Sequence, residues 1–199
     1  MTFIAGMAAG FLTHDVAVYC WHRWVSHAGV LRWFGNDMFR RRHFNHHLVQ
    51  YPPLHLHAPA YVESCDVTFG FVDVLLLIGA VLAVSLGTVP LSWTFAAACG
   101  GTLHGWLAIR IHEFCHILEN GVPRRTLLHQ RISLPTLERL RLFHNLHHTG
   151  RGNYGLLIPV IDIVAGTSAR LVADPARLPA ELFPGFLPER SSSCGEALI

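Results

Sequence analysis

Val67–Leu86 (VTFGFVDVLLLIGAVLAVSL) and Leu91–Ile111 (LSWTFAAACGGTLHGWLAIRI) decide the fold. Each is close to the ~20 apolar residues that a helix needs to cross a bilayer. Gly87-Thr88-Val89-Pro90 lies between them and suits a tight turn. A buried helical hairpin of a soluble protein would be the bland alternative. Against it, only Asp73 interrupts the first stretch, and the second carries no charge before Arg110. Thr2 to Cys20 supplies a third span, weakened by His14-Asp15. It lacks the basic start and small-residue cleavage site of a signal peptide. The expectation is an all-α membrane protein with about three transmembrane helices.

Working outward, the three spans leave Arg23, Arg32, Arg40, Arg41, Arg42, Arg124, Arg125, Arg131, Arg139 and Arg141 on one side. The positive-inside bias makes that side the cytoplasm, with the amino terminus and the Gly87–Pro90 turn outside. Leu156 to Ala165 is too short to span and is expected to lie in the interface or under a cytoplasmic helical cap. Residues 1–170 read as one membrane-embedded domain. Residues 171–199 carry Pro175, Pro179, Pro184 and Pro188 and read as a mostly irregular tail.

Composition narrows the function. Of the 199 residues, 51% are apolar and 14% charged, well below the ~25% charged of a soluble domain. A net charge of +2 gives no strong basic field, which argues against nucleic acid as partner. Cys20, Cys65, Cys99, Cys115 and Cys194 are odd in number and scattered, as reduced or structural thiols are. The excess is in histidine: 15 His against 13 Asp and Glu combined.

Ten of those His fall in four groups: His22 and His27; His43, His46 and His47; His112 and His116; His144, His147 and His148. On an α-helix, positions i, i+3 and i+4 share a face, so each H-x2-H-H aims two or three imidazoles at one point. His22 and His27 are five apart, about 140° on a 3.6-residue helix. Their convergence needs a helix end or a local unwinding at Ser26-His27. A first-row metal takes about four to six ligands, so ten imidazoles suggest two metals. Glu113 and Glu119 lie near the third group, where they are either acceptors for imidazole N–H or ordinary helix-end charges. Closed structural zinc would not need ten His, and two-metal hydrolysis recruits bridging carboxylates that are scarce here. A redox pair that activates O2 against an unreactive C–H bond of an apolar, lipid-like substrate fits better.

These residues resemble the fatty acid hydroxylase/sterol desaturase superfamily. The matching text is His22-Arg23-Trp24 through His27, Arg42-His43-Phe44-Asn45-His46-His47, His112 to His116, and His144-Asn145-Leu146-His147-His148. Asn153-Tyr154-Gly155 and Asp162 with Gly166-Thr167 continue the likeness, which spans roughly Tyr19 to Thr167. The resemblance implies a non-haem di-iron oxygenase in which the ten His are the metal ligands and O2 is the co-substrate. It implies two iron atoms, with zinc often replacing them in isolated protein. With no fused haem-binding domain in the chain, it implies an external electron-transfer partner of cytochrome or ferredoxin type. Larger relatives carry two spans before the first His group, whereas one fits here.

Asn153 reads as a turn residue before Gly155, with a hydrogen-bond clamp beside the site as the alternative. His104 falls inside a span, where an ionisable group is a functional hint; it is expected either to face the metals or to fill a hydrogen-bonded packing role. Glu113, Asn153 and His104 are thus the candidate outer partners of the ligands. His55 and His57 are expected to line the cap, His14 and His129 to be structural or exposed. Trp21, Trp24, Trp33, Trp93 and Trp106 read as interfacial anchors and core. The expected activity is hydroxylation or desaturation of an acyl chain or sterol. A carotenoid hydroxylase-like enzyme and a non-catalytic metal binder or transporter are the alternatives, the latter disfavoured because the His gather at one face rather than along a pathway.

Overall fold

The computed structural model describes residues 2–52, 56, 66–116, 118–119, 122–123, 132, 134–149 and 152–168. Its helices are α1 (Thr2–Cys20), α2 (Met38–Asn45), α3 (Asp66–Ser85), α4 (Leu91–His116), α5 (Leu134–Thr149) and α6 (Val160–Val164). The His-bearing segments after α1 and α2, Trp21–His27 and His46–Gln50, are π-helical, and Val30–Phe34 is a 3-10 turn. A two-residue antiparallel pair, Leu118–Glu119 with Val122–Pro123, is the one sheet among the described residues. The irregular tail, His55, His57 and His129 lie outside the described residues, as do Cys65 and Cys194. Cys20, Cys99 and Cys115 are free thiols.

α1 and α4 form the axis of the bundle, and glycine lets them meet backbone to backbone. A Cβ at Gly10 would sit 1.9 Å from the Ala97 carbonyl oxygen, and one at Gly100 would sit 1.9 Å from that of Met7. Neither contact can exist with any side chain. Small residues at helix crossings are how membrane helices gain packing energy where lipid offers no hydrophobic drive. α3 lies against this pair.

Beyond the crossing, Val18, Val72, Ala108, Ile111, Phe114, Cys115, Leu137 and Leu156 form a buried core where α1, α3, α4 and α5 meet the segment before α6. That core is the floor beneath the His groups. Leu156 belongs to it, whereas Val160, Ile163 and Val164 further along the same stretch are exposed.

The outer faces are apolar: Ile4, Leu12 and Val16 on α1, Leu77, Ile78, Val81 and Leu82 on α3, and Leu91 and Phe95 on α4 are exposed. So large an unpartnered apolar surface suits a lipid environment. Among the described residues, one helix is both long and apolar enough to cross a bilayer: α1 with its π-helical extension, Thr2–His27. At 1.5 Å per residue its 26 residues span about 39 Å. Gly70–Ser85 of α3 is a shorter apolar helix. α4 has the length, but His104, Arg110, His112, Glu113 and His116 dilute its apolar character.

Trp24, Trp33 and Trp106 are exposed, as anchors would be, whereas Trp21 packs edge-on against Phe39 at 5.0 Å.

The glycine crossing is testable by contrast. In Gly10→Ala the new methyl must push α1 off α4, an overpacking cost of about 1–3 kcal/mol or more. At Gly79 a Cβ meets nothing within 4 Å. There the same change gains helix propensity, roughly 0.5–1 kcal/mol. Thermal unfolding in detergent is expected to show a lower Tm for Gly10→Ala and an unchanged or higher one for Gly79→Ala.

Candidate metal centre

Two local departures from α-helical geometry bring the histidines together. In Trp21–His27 the amide of Ala28 donates to Arg23 O, five residues back, at 3.0 Å. In this i→i+5 winding, residues five apart stand above one another. His22 and His27 therefore share a face, with ring centroids 5.1 Å apart. The unwinding expected at Ser26-His27 takes the form of a widened turn. Tyr51 N donates to His46 O at 2.9 Å in the same i→i+5 manner, ending the second such segment.

The ten His gather in two groups. His22, His27, His43, His47 and His147 place one ring nitrogen each within 4.8 Å of one another, as do His46, His112, His116 and His144. His148 joins the second group, its Nε2 3.1 Å from His144 Nε2 and its ring 4.7 Å from that of His116. The division follows from helix phase. Residues i and i+4 face the same way, while the residue between them in H-x2-H-H is turned about 100° aside. So His43 and His47 enter the first group and His46 the second. At the other repeat, His144 and His148 enter the second group and His147 the first. Each H-x2-H-H thus splits between two points, where the sequence reading allowed two or three imidazoles at one.

Backbone carbonyls orient the rings. His22 Nδ1 donates to Tyr154 O at 2.7 Å, His147 Nδ1 to Gly152 O at 2.6 Å, His116 Nδ1 to Leu56 O at 2.8 Å, and His148 Nδ1 to Tyr51 O at 3.1 Å. A carbonyl can only accept, so each Nδ1 carries the proton and each Nε2 is left as an inward lone pair. These Nε2 atoms crowd together: His22 to His43 at 3.2 Å, His43 to His27 at 2.7 Å, His27 to His147 at 3.2 Å, and His116 to His144 at 2.9 Å.

Burial, reinforced by the neighbouring imidazoles, holds His43, His46, His47, His144, His147 and His148 well below the usual value of 6.5. They are neutral near pH 7, the form that binds metal. Both ring nitrogens of His46 and the Nε2 of His47 are buried without a hydrogen-bond partner. Unsatisfied buried nitrogens are costly, and a cation between them would satisfy them. The donor set therefore fits two metal ions. A cavity of about 40 Å³, lined by Val18, Ser26, Tyr154, Leu156 and His residues of both groups, lies against them.

The segment after α5 holds the carbonyls in place. Asp162 is fully buried and accepts from the amides of Tyr154 at 2.8 Å and Gly155 at 2.7 Å, and from the Thr167 hydroxyl at 2.8 Å. A Cβ at Gly155 would sit 2.8 Å from this carboxylate. Asn153 has a left-handed φ of 53° and donates from Nδ2 to Phe143 O at 3.1 Å. It is both the turn residue and the clamp, tying the loop to α5. Tyr19 OH and Thr167 Oγ1 lie 2.9 Å apart, which links the same loop to α1.

Two expected outer partners stand elsewhere. Glu113 pairs with Arg110 one turn away at 2.7 Å. His104 bonds to Asp15 and His14, two turns of α4 before His112. Glu119 lies in the short strand pair. The sequence reading missed Asp162 as an organiser and the carbonyls of Tyr51, Leu56, Gly152 and Tyr154 as acceptors. The close spacing of Asn153-Tyr154-Gly155 to the last His group was the available signal for two of them.

The neutral histidines have a pH consequence. In the unfolded chain each binds a proton near 6.5, whereas in the folded chain these six do so only at much lower pH. The unfolded state then holds more protons, so their contribution is fully present above about 6.5 and is lost as pH falls. Chelator-treated protein is expected to show a Tm that declines steadily below pH 6.5. A flat Tm down to pH 5 would contradict the neutral, buried state.

No curated protein and no solved structure matches the chain. A family profile described as fatty acid hydroxylase matches residues 7–167, a range holding all ten grouped His and the Asp162 loop. The chain therefore belongs to the fatty acid hydroxylase family, membrane-associated enzymes of oxygenase type that act on lipids.

Proposed function

We propose that the chain is an O2-dependent di-iron membrane hydroxylase acting on a C–H bond of an apolar, lipid-like substrate, a fatty acyl chain or a sterol. The observation that carries this reading is the gathering of imidazoles at two adjacent points, five at one and four at the other, with His148 beside the second. His22, His27, His43, His47 and His147 would hold one iron; His46, His112, His116, His144 and His148 would hold the other. Zinc can occupy the same neutral nitrogen sets in isolated protein. When bound, such an iron pair supplies the reduction of O2 and the oxidising power to break an unreactive C–H bond.

The chain's own part is placement. The Nδ1–H bonds to four carbonyls fix tautomer and ring direction, leaving the ligand nitrogens aimed inward. Val18 and Leu156 give the small cavity beside the His groups an apolar edge, the kind of surface an alkyl segment would contact. In the full reaction the substrate gains one oxygen atom, and the second leaves as water with two electrons and two protons. Those electrons come from an external carrier of cytochrome or ferredoxin type. Desaturation would instead remove two hydrogens from the substrate, and with the same two electrons and two protons both oxygen atoms would leave as water.

In this reading α1, α3 and α4 are three membrane spans, and the arginine-rich His cap faces the cytoplasm. The apolar outer faces of all three helices and the loading of arginine on the His side support that placement.

The test is product analysis with isotopically labelled O2, using iron-loaded protein, a reduced carrier, and acyl and sterol substrates. One labelled oxygen in the product is the expected result. Loss of two hydrogens without label would assign desaturation instead. No O2 consumption and no product with any substrate, in protein that holds its iron, would contradict an oxygenase.

A further inference from the structure

α1, α3 and α4 also enclose a cavity of about 420 Å³, within the ~300–1,000 Å³ of small-ligand sites. Its walls run from Val89 and Trp93, near the α3–α4 turn, to His14, Asp73 and Thr102. It therefore lies along the half of the bundle away from the His groups. The lining is mostly apolar, and among the described residues its ionisable side chains are His14 and Asp73, with no Arg.

Those two side chains end a chain of four. Asp15 Oδ1 lies 2.7 Å from His104 Nε2, His104 Nδ1 lies 2.7 Å from His14 Nδ1, and His14 Nε2 lies 2.8 Å from Asp73 Oδ1. Asp15, His14 and His104 are buried to 2% exposure or less, while the Asp73 side chain is 46% exposed. On α4, Gly105 lies against this assembly. Two carboxylates thus stand against two imidazoles, and the accessible end of the chain is the Asp73 carboxylate in the cavity. A carboxylate in apolar surroundings is costly unless a cation pairs with it.

We propose that this cavity binds a single-chain amphiphile with a primary ammonium head, the head seated on Asp73 and the chain lying along Leu77, Ala80 and Ala83 toward Trp93. The ammonium pairs with this carboxylate and donates to it. A hydroxyl head can donate without neutralising, and a carboxylate or phosphate head is repelled. This site is distinct from the His groups. His14 lies eight residues before His22 on α1, about 12 Å at the helical rise, and the bound chain points the other way. The proposal does not depend on metal or on the oxygenase reading.

The test uses the purified full chain in detergent at neutral pH. Dodecylamine, dodecanol and dodecanoate, each carrying a terminal diazirine, are photo-crosslinked, and the labelled peptides are read by mass spectrometry. The amine is expected to label α3 and α4 peptides at least ~10-fold more than dodecanoate, the ratio given by one charge-assisted hydrogen bond. Asp73→Asn should remove the amine's advantage. Ala80→Phe, which fills the wall without touching Asp73, should reduce labelling by all three probes while helicity is retained. Equal labelling by amine and carboxylate, an amine advantage that survives Asp73→Asn, or labelling unaffected by Ala80→Phe would overturn the proposal.

Discussion

The structure depends on bringing ten imidazole rings together in one cap with ring nitrogens facing each other. No soluble core would choose this. His22, His116, His147 and His148 give their Nδ1 protons to carbonyls and turn Nε2 lone pairs inward, where ring nitrogens meet at about 3 Å, as His22 and His43 do at 3.2 Å. Burial keeps water from relieving the crowding, and it also suppresses protonation, the other relief. What remains is a cation at each point. The unsatisfied nitrogens of His46 and His47 are the clearest sign of that demand.

Meeting the constraint fixes much of the remaining architecture. The first two pairs of ligands ride on different helices, His22 and His27 at the end of α1, His112 and His116 at the end of α4. The glycine crossing at Gly10 and Gly100 sets how closely those ends approach. α5 then brings His144, His147 and His148 over the same core, and the Asp162 loop folds back to supply acceptors to His22 and His147. A change in the crossing and a change in the loop should both be felt at the His groups, through packing in one case and hydrogen bonding in the other.

How much of this was legible in the sequence depends on the range of the signal. The four His groups could be read, because helical spacing is local. Their sharing between two points was not drawn from it: helix phase turns His46 away from His43 and His47, but which group each ring meets depends on contacts between helices distant in sequence. The helical class and the apolar segments were also visible. The number of spans was not settled by composition: α4 carries its His and Arg inside an otherwise apolar helix, and α1 meets length and apolarity together. By sequence alone His14 reads as structural or exposed, and His104 as a partner of the metals or a packing group. Their pairing with each other and with two aspartates is a contact across helices 90 residues apart in sequence, beyond any local pattern. Glu113 looked like an acceptor for imidazole because it neighbours His112. On the helix it instead faces Arg110, one turn back.

The measurement that bears most directly on the account is the metal content per chain after loading with iron or zinc, for the unaltered protein and for one variant from each group. The division of ligands predicts two ions per chain, close to one in His27→Ala and close to one in His116→Ala, with the double variant nearly empty. One ion or none in the fully loaded unaltered chain, or variants that keep both ions, would contradict two metal points built from five histidines each.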